Sequence, residues 1–292
     1  MHVTAHSTAD SIANPSISPS KIAFIGGGNM AQALIGGLLA QQIKASDIIV
    51  SEPADALHDT LRQFGIQVTT DNQQAIQDAH VVILAVKPQV ITQVLQPLRG
   101  YFKNQLIISI AAGVTISTLA SVLDGYARIV RAMPNTPALI QTGATGLFAP
   151  SAVNNADRTL ASNIMQAAGL VLWVEQEQQL DAVTAVSGSG PAYFFYLMEA
   201  MIQAGQDLGL TEAQARALTL QTALGAAKMA VSSPYAPAQL RKNVTSPNGT
   251  TQAAIESMEA AQVSHHVQQA LQAAAMRSAE LAIALAAGST TN

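Results

Sequence analysis

From Lys21 to about Val174 the chain alternates short apolar runs with longer mixed stretches; beyond Leu180 the alternation stops. Lys21–Ile25, Asp47–Val50, Ile66–Val68, His80–Val86, Asn104–Ile110, Arg128–Arg131 and Leu170–Val174 each read as a strand. The unbroken apolar run of His80–Val86 is the pattern of a parallel strand covered on both faces, where no alternation survives. Between the strands, Gln32–Gln41, Ala54–Phe64 and Asp71–Asp78 read as helices, with Gly65 stopping the second and Thr70 or Asp71 capping the third. Strand alternating with helix predicts an α/β domain built on a mostly parallel sheet.

The first strand runs into Gly26-Gly27-Gly28-Asn29-Met30-Ala31, a G-x-G-x-x-A turn opening a helix. Gly26 permits a tight turn off the strand, and Gly28 removes the Cβ that would hold backbone away from a pyrophosphate. Ala31 lets helix and strand pack closely. The free N–H groups of the helix start then face the anion. The turn sits between a strand and a helix, with a second strand beyond, so it predicts dinucleotide binding. At the end of that second strand, in Ser51-Glu52-Pro53, Glu52 is placed to bind ribose hydroxyls, which favours NADH over NADPH; its alternative is a solvated charge.

Ligands of open parallel sheets bind beyond the carboxyl ends of the strands. Five such ends carry candidate chemistry: the Gly26 turn, Glu52, Lys87-Pro88, the turn Ala111–Gly113, and Pro134–Pro137. Lys87 is either a cation near cofactor and substrate or a loop charge. Gly143 and Gly146 precede Leu147-Phe148, and the last strand carries the only tryptophan, Trp173, as a packing residue.

After Leu180, Ala, Gln, Leu and Met dominate and the pattern is helical. Ser187-Gly-Ser-Gly-Pro191 interrupts a helix over Asp181–Leu208, which Gly209 stops. The serine spacing is not that of a hydrolase elbow, so this interruption suits close helix contact or approach to a ligand. Thr211-Glu-Ala-Gln214 is a capping box for a helix reaching about Val231. A short piece starts at Pro237 and ends near Asn243. Val244–Thr251 then gathers Thr245, Ser246, Thr250 and Thr251 around the turn Pro247-Asn248-Gly249, at the start of a helix over Thr250–Met258. A helix cap needs only one of these hydroxyls; four in one corner, with the N–H groups of a helix start, suit a carboxylate. A last helix spans about Ser264–Ala286, its small residues recurring all round, which suits burial against another helix and against a second copy of the chain. The resulting division is a tail over 1–20, an N-terminal domain over 21–178, and a helical domain over 179–292.

Composition narrows the partners. The chain has 292 residues, a formal net charge of -4 and only 11% charged residues, with no run of Lys or Arg, so nucleic acid and anionic membranes are poor partners. No cysteine is present, which removes disulfides and thiolate catalysis. His265 and His266 are adjacent and point apart on a helix, so no metal site is expected there. Met1–Ser20 is polar, lacks Lys and Arg, and reads as a disordered tail without the apolar core of a secretory signal; a cytoplasmic location is expected. No apolar run reaches spanning length by this reading, Leu106–Ala120 being the nearest.

With these residues in view, the chain resembles pyrroline-5-carboxylate reductases. The resemblance rests on Ile25–Ala31, Ala85-Val-Lys-Pro88, Arg131-Ala-Met-Pro-Asn-Thr-Pro137, Ser187-Gly-Ser-Gly-Pro-Ala-Tyr193 and Leu240–Glu259, in family order from Lys21 to about Ala286. It implies a Rossmann domain followed by an all-α dimerisation domain. The implied reaction is hydride transfer from NADPH or NADH to 1-pyrroline-5-carboxylate, the last step of proline biosynthesis. The implied assembly has an intertwined homodimer as its building block and a decamer as a further step. Residue by residue, the resemblance implies that Gly26, Gly27, Gly28, Asn29, Met30 and Ala31 form the pyrophosphate turn. It puts Asn72 on the adenosine part, Ala85, Val86, Lys87, Pro88 and Ala111 on the nicotinamide side, and Asn243 on the cofactor from the helical domain. Ser246, Gly249, Thr250 and Thr251 would hold the substrate carboxylate and ring nitrogen, with Ser246 and Thr251 as the catalytic pair and Glu175 on the substrate side. Where NADPH-preferring members carry Ser or Thr, this chain has Glu52.

Two rival readings remain at this stage. Other two-domain reductases, of β-hydroxyacid or imine type, need a Lys or Asp on the helix after the interdomain strand; Asp181–Glu199 contains no Lys, and Asp181 lies at its very start. A protein that senses NAD(P) without chemistry would not need the hydroxyl-rich corner.

Overall fold

The computed structural model describes residues 21–288; the expected tail over 1–20 lies outside the described residues. The first half runs β1 (Ile22–Ile25), α1 (Asn29–Ala40), β2 (Ile48–Ser51), α2 (Asp55–Arg62), β3 (Gln67–Thr69), α3 (Asn72–Gln77), β4 (Val81–Leu84), α4 (Ile91–Leu95), β5 (Leu106–Ser109), α5 (Ile116–Val122), β6 (Ile129–Met133), β7 (Gly143–Phe148), α6 (Asn155–Gln166) and β8 (Gly169–Trp173). The strands form one sheet in the order β3-β2-β1-β4-β5-β6-β7-β8. All neighbours are parallel except β6 and β7. The alternation of strand and helix forces this arrangement, since a parallel partner needs a crossover and the helices cover both faces.

Strands β1, β4 and β5 are buried throughout. One apolar cluster packs Ile22, Phe24, Val81 and Ile83 against α1 and α6; the other packs Ala23, Ile25, Val82 and Leu84 against α3, α4 and α5. Successive strand residues face opposite ways, so a strand sandwiched between two helical layers must be apolar at every position.

The expected strands and helices are present; β7 and helices α4, α5 and α6 are additional to them, and α1 starts earlier than read. Helix α1 begins at Asn29 rather than Gln32, so the glycine turn itself is its start, with Gly28 as the N-cap. Strand β7 was not foreseen because Gly143 and Gly146 weaken a strand pattern. Both glycines are demanded by packing: a Cβ on Gly143 would stand 2.8 Å from the Ala168 carbonyl oxygen, and one on Gly146 would stand 2.7 Å from Val183 Cγ1.

From Gln179 the chain is helical: α7 (Gln179–Val183), a π-helical turn over Thr184–Gly188, α8 (Gly190–Asp207), α9 (Glu212–Ser232), α10 (Pro237–Asn243), α11 (Thr250–Ala260) and α12 (Val263–Gly288). The π turn falls on the Ser-Gly-Ser-Gly-Pro interruption, where a wider turn is common at functional sites. The capping box of α9 is formed as read, Thr211 accepting from Gln214 N–H and Gln214 accepting from Thr211 N–H. Helix α12 corrects one expectation: by length and composition it is apolar enough to cross a membrane. Only one end of the helical half rests on the sheet domain. Ser278 Oγ on α12 donates to Asp181 Oδ1 at 2.6 Å, and α12 leans on Gly113, where a Cβ would meet Leu285 Cδ1 at 3.3 Å. Helices α8 to α11 project away with bare apolar side chains, among them Phe194, Phe195, Tyr196, Leu224 and Val231.

Candidate functional site: a nucleotide cavity and a distant hydroxyl corner

A cavity of about 330 Å³ opens beyond the carboxyl ends of β1, β2 and β4, where the strand order reverses direction and a dinucleotide site belongs. Gly26 and Gly28, Glu52, Asn72, and Ala85, Val86 and Lys87 all line it. Apolar walls come from Ile25, Pro53, Leu57, Val90 and Val94.

The glycine turn has the geometry read for it. Gly26 has φ +98°, and a Cβ there would stand 2.7 Å from the Ala85 carbonyl oxygen. Nothing lies within 4 Å of where a Cβ on Gly28 would be, so backbone is open to a ligand at that point. No side chain caps α1, which leaves its first N–H groups free to serve an anion. Ala31 is buried in the core, and Asn29 and Met30 occupy the first turn. The open space over Gly28 and the uncapped helix start fit a pyrophosphate.

Glu52 is not a solvated loop charge. It is 8% exposed, and its carboxylate accepts from the N–H of Gly27 at 2.8 Å and of Ala54 at 2.9 Å. His58 Nε2 donates to its carbonyl at 2.7 Å. The acid is therefore fixed at the rim of the cavity by the same turn that would meet the pyrophosphate. Asn72 opens α3 behind the Asp71 cap, whose Oδ1 accepts from Gln73 N–H at 2.8 Å and from Gln74 N–H at 3.3 Å.

Other predicted residues lie elsewhere. Pro88 lines a separate cavity with Val114 and Leu285. Ala111 is buried, its N–H 3.4 Å from Ser109 Oγ. Asn243 ends α10, exposed, and accepts from Gln239 Nε2 at 2.8 Å. Ser246, Gly249, Thr250 and Thr251 do not line the nucleotide cavity of their own chain. They form the turn into α11: Gly249 N–H donates to the Ser246 carbonyl at 3.0 Å, and Asn248 adopts φ +60°. Gly249 is the N-cap of α11, and no side chain, hydroxyls included, caps the helix. The corner thus presents unused donors, as a carboxylate site requires.

Glu175 is exposed, and only its backbone N–H is engaged, by Gln179 Oε1 at 2.8 Å. The acid that the fold uses stands two residues on. Glu177 Oε1 accepts from Ile116 N–H at 2.8 Å and from Arg131 Nη1 at 3.0 Å. Sequence reasoning missed it because Val174-Glu-Gln-Glu177 offers two acids and no spacing that chooses between them. The one available signal was the buried cation, Arg131, inside an otherwise apolar strand.

Comparison with known proteins decides the family. The family model described as pyrroline-5-carboxylate reductase dimerisation matches residues 177–281, and one described as NADP oxidoreductase coenzyme F420-dependent matches residues 21–113. A pyrroline-5-carboxylate reductase of Pseudomonas aeruginosa is 53% identical over 268 residues, covering 91% of this chain and 98% of that one. The chain belongs to the pyrroline-5-carboxylate reductase family. Among solved structures, the enzyme of that name from Coxiella burnetii superposes with a TM-score of 0.85 at 45% identity, covering 90% of this chain and 99% of that one. The Plasmodium falciparum pyrroline carboxylate reductase, solved with NADP bound, superposes with a TM-score of 0.80 at 30% identity, covering 90% and 98%. Membership bears out the resemblance, the Rossmann-plus-helical fold class and the NAD(P)-linked oxidoreductase reading. It also accounts for the apolar α12 as part of a dimerisation unit.

Proposed function

We propose that this chain reduces 1-pyrroline-5-carboxylate to proline with NADPH or NADH, as a cytoplasmic homo-oligomer whose dimer is the building block and whose further assembly is a decamer. One observation carries the reading: Gly26, Gly28, Glu52, Asn72 and Ala85–Lys87, chosen from sequence as cofactor residues, line a single cavity at the strand ends. Family membership supplies the substrate. The division into an N-terminal domain over 21–178 and a helical domain over 179–292 is supported by the last strand's end at Trp173 and the start of helix at Gln179.

When bound, the reduced nicotinamide supplies the hydride. The chain supplies placement. A protonated cyclic imine is already electrophilic, so no strong base is required, and holding the reactants in near-attack geometry can lower a barrier by roughly 7–11 kcal/mol at best. The donors at the start of α11 and the hydroxyl of Ser246 would bind the substrate carboxylate. Thr251 would hydrogen-bond the ring nitrogen as its charge falls and relay a proton. Since this corner lies off the cavity of its own chain, a second copy brings it there, across the bare faces of α8 to α11.

The test is an absorbance assay of nicotinamide oxidation with pyrroline-5-carboxylate and each cofactor in turn. Thr251→Ala removes one hydrogen bond worth about 1–3 kcal/mol, so kcat/KM should fall ~5- to 150-fold. Kinetics within twofold of the unmodified protein would remove Thr251 from the mechanism.

A further inference from the structure

The segment just after β8 makes contacts that ordinary linkers do not. Glu177 reaches back to Ile116 N–H, the first residue of α5, and to Arg131 on β6, with a single carboxylate oxygen serving both. The Arg131 side chain is 7% exposed and that of Glu177 21%, so this is a largely buried ion pair. Arg131 lies beside Ser109 in the sheet register, and Ser109 is the residue from which the Ala111–Gly113 turn departs. Four residues after Glu177, Asp181 holds Ser278 of α12, and α12 in turn presses on Gly113. The turn after β5 is therefore gripped from two directions by the helical half: through Glu177 at its far end, and through α12 at Gly113.

We propose that Glu177 is a positioning residue for hydride transfer. It sets the place of the Ala111–Thr115 turn, on the nicotinamide side, against the helical domain. The inference rests on the functional reading above for the identity of the reaction and for the place of Ala111 on the nicotinamide side. Removing the charge leaves Arg131 buried without its counter-ion and weakens the shared oxygen's hold on Ile116 N–H, from which a neutral amide oxygen accepts less strongly, so the turn shifts. A displacement of about 1 Å at a reacting group can cost ~10²-fold in rate. Glu52 and Asn72, the residues proposed for the adenosine end, line the cavity on the other side of the sheet's midline and make no contact with Glu177.

Glu177→Gln keeps the shape and removes the charge. The expected result is a kcat lowered at least tenfold, with the dissociation constant for ADP, a probe of the adenosine end alone, within twofold of the unmodified protein. The fluorescence of bound NADH, which reports the surroundings of the nicotinamide and needs no turnover, should move toward that of free NADH. The double variant Arg131→Met with Glu177→Met restores apolar packing and recovers thermal stability. It should not recover kcat or the fluorescence, because a Met at position 177 offers Ile116 N–H no oxygen acceptor. Recovery of both by the double variant, or an unchanged kcat and fluorescence in Glu177→Gln, would overturn the proposal by showing a merely structural ion pair. If the unmodified protein proves inactive on the imine, the functional reading falls, and the NADH fluorescence still decides the role of Glu177.

Discussion

At the scale of single residues, Glu52 joins a visible role in the fold to a proposed one in ligand choice. Its two oxygens are held by the N–H groups of Gly27 and Ala54, so the carboxylate faces the nucleotide cavity in a fixed pose. A fixed anion at that point accepts from ribose hydroxyls and repels a 2′-phosphate. Glu52→Ser should raise the NADPH/NADH ratio of kcat/KM, read from paired assays; an unchanged ratio would detach Glu52 from cofactor choice. It should also lower stability by about 1–3 kcal/mol, since the buried Gly27 N–H loses its acceptor. Glu52 and the glycine turn were legible in the sequence because motif spacing ties them to neighbours in the chain. Glu177 was not. Its partners, Ile116 and Arg131, lie 61 and 46 residues away, and only tertiary contact reveals them.

At the scale of elements, parallel strands were the most legible feature, because burial on both faces writes itself as an unbroken apolar run. Strand β7 was the least legible. Its glycines exist to admit Ala168 and Val183, which are distant in sequence. The same dependence on tertiary contact governs the edge where β5, α5 and α6 meet. Tyr126 donates to the Gln105 carbonyl at 2.5 Å, and Arg128 forms a two-pronged pair with Asp157 at 2.5 and 2.6 Å. Burial raises the Tyr126 pKa above its ordinary 10.0, with Asp157 adding to the rise and Arg128 opposing it. The folded state thus holds this proton more tightly than the unfolded chain. The stabilisation is complete below about pH 10 and is lost as pH rises through the folded value. Urea unfolding of Tyr126→Phe should show a shallower loss of stability above about pH 10 than the unmodified protein. At neutral pH it should be weaker by roughly 0.5–1.5 kcal/mol for the missing hydrogen bond.

At the scale of the whole molecule, one chain is an incomplete object. The side chains of Phe194, Phe195, Tyr196, Leu224 and Val231 stand in water on α8 and α9, Val231 at 88% exposure. Covering a large apolar side chain contributes about 1.5–3 kcal/mol, so a handful of them outweighs the entropy of pairing two subunits. Sedimentation should find no monomer at micromolar concentration, and Tyr196→Glu with Leu224→Glu should release monomers that have lost activity. An active monomer would show that the α11 corner is completed within one chain. The sequence announced this helical array through its scarcity of charge, yet could not say which faces pair, because the small residues of α12 recur all round.

The clasp of α12 on Gly113 carries a consequence for biosynthesis. Leu285 leaves the ribosome well after the strands it supports, which precede it in the chain. A nucleotide-binding half that folds as it is made would therefore lack support at one turn until α12 emerges. A premature stop codon between Gln179 and Ala282 would leave every strand of the sheet encoded and remove the backing of the turn after β5.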